Sequence, residues 1–139
     1  MTVPPEYVHA SRDFERFMAD LMEISTLATH HRAYAVLRGV LHVFRDHLTV
    51  EQALRFADVL PAVLRAIYIE DWHPVADPVP FPDQQQLIAE VRAQRRHHNL
   101  ADESSIGDVA QALRRHIPEE ALMRGLQGLD ANARAYWLA

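Results

Sequence analysis

The sequence predicts an all-α protein in which two tandem, pseudo-symmetric multi-helix repeats pack into one compact bundle. Three observations support this prediction. Apolar residues recur at i, i+3, i+4 and i+7 along most of the chain, which is the period of an amphipathic helix. Residues that start helices precede these apolar stretches. The second half of the chain also repeats part of the first half at a fixed shift in numbering.

The chain has 139 residues, about the size of one domain, and we expect residues 1–139 to form a single all-helical domain. Four of the eight prolines lie between residues 74 and 82, and proline interrupts both helices and central strands. The predicted segments are an N-terminal arm at 1–10, a first helical repeat at 11–69, a proline-rich linker at 70–82 and a second helical repeat at 83–139.

Helix-start signals place four helices in the first repeat. Ser11 and Thr29 are expected to cap the first two, because their side-chain oxygens can accept from free amides of a first turn. The sequence TVEQ at 49–52 has the capping-box pattern, and Pro61 suits the first turn of a fourth helix. The residues expected on the apolar faces are Phe14, Phe17, Met18, Leu21, Ala33, Val36, Leu37, Val40, Leu41, Phe44, Leu48, Ala53, Leu54, Ala57, Leu60, Leu64, Ile67 and Tyr68.

The same signals return after the linker. Asp83 can cap a helix, SSIGD at 104–108 can open another, and Pro118 with two following acids suits a helix start. Asp130 can cap a last helix. The apolar residues expected to face inward are Leu87, Ile88, Val91, Ile106, Val109, Ala110, Leu113, Leu122, Met123, Leu126 and Leu129.

Residues 40–68 and 109–137 align without a gap at a shift of 69 and share nine identities in 29 positions. Similar pairs include Leu54/Met123 and Tyr68/Trp137, and FMADL at 17–21 resembles LIAEV at 87–91 with one more residue of shift. A period near 70 is too long for one solenoid unit, so it predicts two multi-helix halves packed face to face. The identical pairs are Val40/Val109, Arg45/Arg114, His47/His116, Glu51/Glu120, Arg55/Arg124, Leu60/Leu129, Ala62/Ala131, Arg65/Arg134 and Ala66/Ala135.

The stretch LRGVLHVFRDHLTVEQALRFADVLPAVLRAIYIEDWHP, residues 37–74, resembles the bacterial family known as domain of unknown function 2267. The resemblance covers roughly residues 13–137. It implies a small soluble all-α protein with two related halves, and it implies no reaction. One departure is Asp71, because the family often has glycine before the tryptophan. A left-handed helix end is therefore less favoured here, since Asp tolerates that conformation less easily than Gly.

Composition excludes several classes of chemistry. All 14 basic residues are Arg, which excludes a lysine Schiff base and a P-loop lysine. The lack of cysteine excludes disulfides, thiolate nucleophiles and cysteine-ligated metals. A net charge of −5 argues against nucleic acid as a partner. The longest apolar stretch, 59–69, is too short to span a bilayer, and we expect a cytoplasmic protein without a membrane partner.

The repeat duplicates a set of polar residues that could hold each half together or form a symmetric binding surface. We favour the structural role, in which ion pairs form and the histidines satisfy carbonyls at helix ends. The set is Arg45, His47, Glu51, Arg55, Arg65, Arg114, His116, Glu120, Arg124 and Arg134.

Four aromatic residues, Tyr68, Trp72, Tyr136 and Trp137, end the two halves. We expect them to fill the seam where the halves meet, each with its polar tip at the rim. A ligand groove between the halves is the alternative, because binding sites often lie between the helices of a bundle.

Other constellations are weaker. His42 with Asp46, and His47 with Glu51, have i,i+4 spacing that could supply two metal ligands, but a zinc site normally needs three or four. Arg92, Arg95 and Arg96 form a short basic face, beside His97 and His98, that we interpret as solvated. No catalytic motif is present, so we predict no metal, no cofactor and no enzyme activity. We predict a non-catalytic interaction or scaffold module with an unknown protein partner or a homo-oligomer; the alternatives are small-ligand or metal binding and, less favoured, nucleic-acid binding.

Overall fold

A computed structural model describes residues 2–27, 29–94 and 103–139 of the chain. These residues form helices and no strands, as predicted. The helices are α1 (Pro5–Val8), α2 (Ala10–Ser25), α3 (His30–Asp46), α4 (Val50–Ala57), α5 (Ala62–Ile69), α6 (Gln84–Ala93), α7 (Ser105–His116), α8 (Glu119–Leu126) and α9 (Ala131–Leu138).

Four of the predicted side-chain caps are confirmed. Thr29 accepts from a first-turn amide of α3, and Thr49 and Gln52 form both hydrogen bonds of the capping box at α4. Asp83 and Asp130 cap α6 and α9, each accepting from the amide three residues ahead at 2.9 Å. These starts could be predicted because a cap depends only on residues within one turn of each other.

Ser11 and Ser104 do not form the caps that we predicted. Ser11 lies inside α2, which begins at Ala10 directly after the short helix α1, so its hydroxyl caps no helix. Ser104 precedes α7, but its hydroxyl donates to the carboxylate of Asp108 at 2.9 Å and accepts no amide of the helix. The helix starts predicted at Pro61 and Pro118 are present: each proline lies one residue before its helix, where a missing amide hydrogen costs nothing.

Helix α3 lies at the centre of the fold. It is buried along most of its length and packs against α2, α5, α6 and α7. Around it, α7 packs against α2 and α9, and α4 packs against α8. Helices from before and after residues 70–82 therefore enclose α3 together and share one core.

Leu54 and Met123 do not face the core as predicted. Their exposed fractions are 52% and 45%, whereas Phe56 and Gly125, two residues further along each helix, are buried. The reason is that α4 and α8 pack against each other through this second pair. A Cβ atom on Gly125 would lie only 3.2 Å from Cδ1 of Phe56.

Residues 70–82 contain no helix, and they are attached to both sides of the bundle. The Phe81 side chain is buried. The backbone carbonyl oxygen of Phe81 accepts from the side-chain amide of Asn132 at 3.2 Å. The carbonyl oxygen of Val79 lies 2.7 Å from Nδ1 of His47. The predicted linker is thus a strap that packs on the core.

Asp71, which follows the end of α5, adopts the left-handed conformation that its side chain disfavours. Its φ angle is 56°, and its carboxylate lies 3.1 Å from the guanidinium of Arg38. The helix end therefore keeps the backbone path that glycine would allow, although this chain has Asp there.

Candidate functional site

The two corresponding arginines Arg45 and Arg114 contact the ends of two helices. Arg45 Nη1 donates to the carbonyl oxygens of Tyr68 and Glu70, at 2.8 and 2.6 Å, where α5 ends. Arg114 Nη1 donates to the carbonyl oxygen of Trp137, where α9 ends. Each arginine therefore supplies donors to carbonyls that have no partner within their own helix.

Arg65 and Arg134 form a second corresponding pair of contacts. Arg65 donates to the carbonyl oxygen of Ala57, the last residue of α4, at 3.0 Å and to that of Leu60, beyond the helix end, at 2.9 Å. Arg134 donates to the carbonyl oxygen of Leu129 at 2.8 Å, beyond the end of α8. Leu60 and Leu129 each lie five residues before the arginine that donates to them.

The two predicted histidines do not contact helix-end carbonyls, in contrast to our expectation. Nε2 of His47, after α3, lies 2.7 Å from a carboxylate oxygen of Glu90 on α6. Nε2 of His116, at the end of α7, lies 2.6 Å from a carboxylate oxygen of Asp20 on α2. Each pair joins a helix before the strap to a helix after it, a connection between positions far apart in the sequence.

The remaining polar residues of the duplicated set lie on the outside of α4 and α8. Glu51 and Arg55 form an exposed ion pair at 3.3 Å across one turn of α4. Glu120 and Arg124 are exposed on α8 beside Met123. The ten residues therefore do not form one site: they occupy helix ends, the contacts between halves and this outer surface.

Two of the four predicted seam aromatics bury their hydroxyl groups, so the expectation that the polar tips lie at the rim is wrong. The Tyr136 hydroxyl donates to the carbonyl oxygen of Val40 at 2.6 Å, from α9 to the middle of α3. The Tyr68 hydroxyl donates to the carbonyl oxygen of Ala53 at 3.0 Å. Burial raises the pKa of both hydroxyls well above the usual range for tyrosine.

The two tryptophans occupy different environments. Trp137 is fully buried with its ring centroid 5.3 Å from that of Phe44 and 5.6 Å from that of Phe56. Its indole Nε1 has no hydrogen-bond partner among the residues that the structure describes. Trp72 is half-buried and lines a depression of about 260 Å³ beside Arg45 and Asp71. Trp72 is therefore not part of the aromatic cluster that contains Trp137.

His42 is a buried titratable residue, although its spacing from Asp46 in the sequence suggests only a metal ligand. Its Nε2 lies 2.7 Å from the carbonyl oxygen of Ile67, so this nitrogen is used inside the core. Burial, with a smaller contribution from the charges of Arg45 and Arg38, lowers the pKa of His42 to about 4. The ring is therefore neutral at pH 7. In the sequence, His42 lies among the apolar residues of α3, and this position is the signal that could have indicated its burial.

A cavity of about 410 Å³ lies between α2, the start of α5 and the end of α7. Helices from both sides of the strap line it. Its apolar wall includes Phe14, Phe17 and Leu64, and its charged residues include Asp13 and Arg16. The cavity thus combines aromatic surface with charges of both signs, as small-molecule sites do.

Two further observations concern metal binding and membrane insertion. Across residues 2–27, 29–94 and 103–139, no three histidine, aspartate or glutamate side chains cluster as metal ligands. Within the same part of the chain, no helix has the length and apolarity to cross a bilayer. Of the predicted basic face, Arg92 is described, while Arg95, Arg96, His97 and His98 lie outside the described residues.

Comparison with known proteins agrees with the resemblance found in the sequence. A family model described as Uncharacterized conserved protein (DUF2267) matches residues 14–136. The search of curated proteins finds no match. Because the family match covers nearly the whole chain, from the second turn of α2 to the last turn of α9, the protein belongs to the DUF2267 family.

Proposed function

We propose that this chain is a non-catalytic protein-interaction module built from two tandem, pseudo-symmetric repeats. Reciprocal contacts support the symmetry. His47 of the first half pairs with Glu90 of the second, and His116 of the second pairs with Asp20 of the first. Under the shifts of 69 and 70 residues found in the sequence, one pair maps onto the other. Such an exchange is what a twofold relation between equivalent units produces.

The contact between α4 and α8 supports the same relation. Phe56 and Gly125 correspond at a shift of 69, and they pack against each other. Equivalent residues contact each other in a twofold arrangement only where they lie close to the axis. We infer that the pseudo-twofold axis passes between α4 and α8 and that Phe56 occupies the space that Gly125 leaves open.

The outer surface of α4 and α8 is the interaction face that we propose. The observation that carries it is the exposure of Leu54 and Met123, two corresponding apolar residues on either side of this axis. Val50 adds a third apolar residue, with 43% of its surface exposed. Exposed apolar residues grouped with charged neighbours are typical of protein-contact surfaces.

We propose that a second copy of the chain binds this face. Each of the two helices presents an acid and, one turn later, an arginine: Glu51 with Arg55, and Glu120 with Arg124. When two such faces meet across a twofold axis, acids of one copy can lie opposite arginines of the other. The face is therefore complementary to itself in charge as well as apolar at its centre.

The mass of the protein in solution as a function of concentration tests this proposal. We expect the wild-type chain to dimerise and the double variant Leu54→Glu, Met123→Glu to remain a monomer, because it places four carboxylates at the contact of two copies. Val8→Glu, at an exposed apolar residue of α1, is the matched control and should dimerise like wild type. A wild-type chain that stays monomeric at its solubility limit contradicts the proposal.

The 410 Å³ cavity favours a second candidate function, the binding of a small amphipathic molecule between the two halves. Benzoate and benzylamine are suitable probes because each carries one charge beside an aromatic ring, negative in benzoate and positive in benzylamine. We expect saturation-transfer NMR to detect one of them on the wild-type chain. Val63→Trp, which fills the cavity from α5, should abolish the signal. Equal signals from wild type and variant contradict binding in this cavity.

A further inference from the structure

The pairs His47–Glu90 and His116–Asp20 differ in the number of hydrogens that the imidazole ring needs to satisfy its hydrogen-bond partners. His47 has an acceptor at both ring nitrogens: the Val79 carbonyl oxygen lies 2.7 Å from Nδ1, and a Glu90 carboxylate oxygen lies 2.7 Å from Nε2. A backbone carbonyl can only accept, so Nδ1 must carry a hydrogen. A neutral imidazole has only that one hydrogen, and its Nε2 would then face the carboxylate with a lone pair.

The contact between His47 and Glu90 at 2.7 Å therefore requires one additional proton between the two side chains. The proton can reside on Nε2, which gives an imidazolium facing a carboxylate, or on the carboxyl group. In both arrangements the folded pair holds one proton more than a neutral imidazole and an ionised carboxylate. Only 7% of the His47 side chain is exposed, so water cannot readily replace the missing donor.

His116 does not have this requirement. Within residues 2–27, 29–94 and 103–139, its ring has one polar partner, the Asp20 carboxylate at 2.6 Å from Nε2. A neutral ring with its hydrogen on Nε2 can make this bond, and the more exposed His116 side chain leaves the ring accessible to water. The second pair is consequently a control that the chain itself provides.

Among the residues that the structure describes, charged groups reach His47 from α6 and from its own segment of the chain. Glu90 faces it from α6, and Arg45 and Asp46 precede it in the chain. Arg45 already donates to the end of α5 and to Asp46. The strap contributes the Val79 carbonyl and the Phe81 ring, whose centroid lies 5.1 Å from that of the imidazole, and behind Phe81 lies the Tyr136 ring of α9. Of these groups, Glu90 is the one in hydrogen-bonding contact with Nε2.

We propose that a proton shared by His47 and Glu90 fastens the strap and α6 to the end of α3, and that this attachment weakens as the pH rises. The pair is complete while it holds this proton, and because the contact requires the proton, the folded chain is favoured on the acidic side. At higher pH the proton is lost to water, and Nε2 and the carboxylate face each other without a hydrogen. The folded chain then loses stability that it has at lower pH.

The variant Glu90→Gln tests this proposal, because a glutamine amide can donate to a neutral Nε2 and needs no additional proton. Urea unfolding is measured from pH 6 to pH 8 for wild type, for Glu90→Gln and for the control Asp20→Asn. We expect the ratio of folding equilibrium constants, Glu90→Gln over wild type, to rise by about tenfold over this range. The same ratio for Asp20→Asn should rise by less than about threefold.

A ratio for Glu90→Gln that is independent of pH overturns the proposal, as does an equal rise for both variants. If Glu90→Gln does not fold, nitrogen-15 NMR of the wild-type histidines decides the question. We expect the His47 signals, assigned with His47→Gln, to report the additional proton at pH 6 and its loss at higher pH together with a shift of the Phe81 ring signals. Phe81 signals that do not change with pH contradict attachment through this pair.

Discussion

Arg45 donates to the carbonyl oxygen of Tyr68 at 2.8 Å, and the arginine is buried among the carbonyls that end α5. A side chain with a permanent charge is thereby kept inside the fold by backbone acceptors. The position 69 residues later has the same contact, between Arg114 and Trp137, with an arginine that remains exposed. This difference in burial makes the pair suitable for a quantitative comparison.

We predict that Arg45→Met destabilises the fold by about 2–4 kcal/mol, because it leaves the buried carbonyl of Tyr68 without a donor and removes a second bond to the carbonyl of Glu70. Arg114→Met should cost about 1 kcal/mol or less, because water can reach the carbonyl of Trp137 once the exposed arginine is removed. Urea unfolding of both variants at pH 7 measures the difference. Equal losses contradict the role of burial.

We predict that the protein loses stability in acid because of His42. Its pKa is lowered to about 4 in the folded chain, so the unfolded chain takes up the proton first as the pH falls below about 6.5. Stability is complete above this pH and falls by about 2–3 kcal/mol by pH 4. Unfolding free energies of wild type and His42→Gln between pH 7 and pH 4 test this, since the variant should lack this part of the decline.

We predict that Gly125→Ala destabilises the fold by about 1–3 kcal/mol, because the added Cβ overpacks the contact between α4 and α8. This atom would lie 2.9 Å from Cγ2 of Val59. Val59→Ala in the same chain should recover part of the loss. Gly107→Ala is the control: its Cβ would meet no atom within 4 Å, and alanine is the better helix former, so its melting temperature should rise.

We predict that Asp71→Gly stabilises the protein by about 0.5–1 kcal/mol, because glycine adopts a φ of 56° without strain. The ion pair with Arg38 that is lost is exposed on the Asp71 side and is worth little. Asp71→Ala loses the same ion pair and keeps the strain, so it should be no more stable than wild type. Thermal melts of the three proteins test this order.

Local signals predicted the helical class and most helix starts. The caps Thr29, Thr49, Asp83 and Asp130 were correct because each depends on its nearest neighbours in the chain. Ser11 is not a cap because the chain is already helical before it, in α1 and at Ala10. The residue type of Ser11 alone does not indicate that a helix precedes it.

Positions that depend on packing between distant segments could not be predicted in this way. Leu54 was assigned to the core from its apolar character, but the contact of α4 with α8 selects Phe56 for the interior. The partners of His47 and His116 are 43 and 96 residues away in the chain, and no spacing rule indicates them. The sequence indicated that both histidines belong to a duplicated set, but only the structure shows what they contact.

The different burial of Trp72 and Trp137 gives the folded chain two intrinsic optical probes. Trp137, enclosed by Phe44 and Phe56, should emit at short wavelength and resist quenching by acrylamide, whereas Trp72 at the strap should be quenched. Each fluorophore reports on its own part of the molecule. Loosening of the strap and melting of the core can therefore be followed separately by light emission in the unlabelled protein.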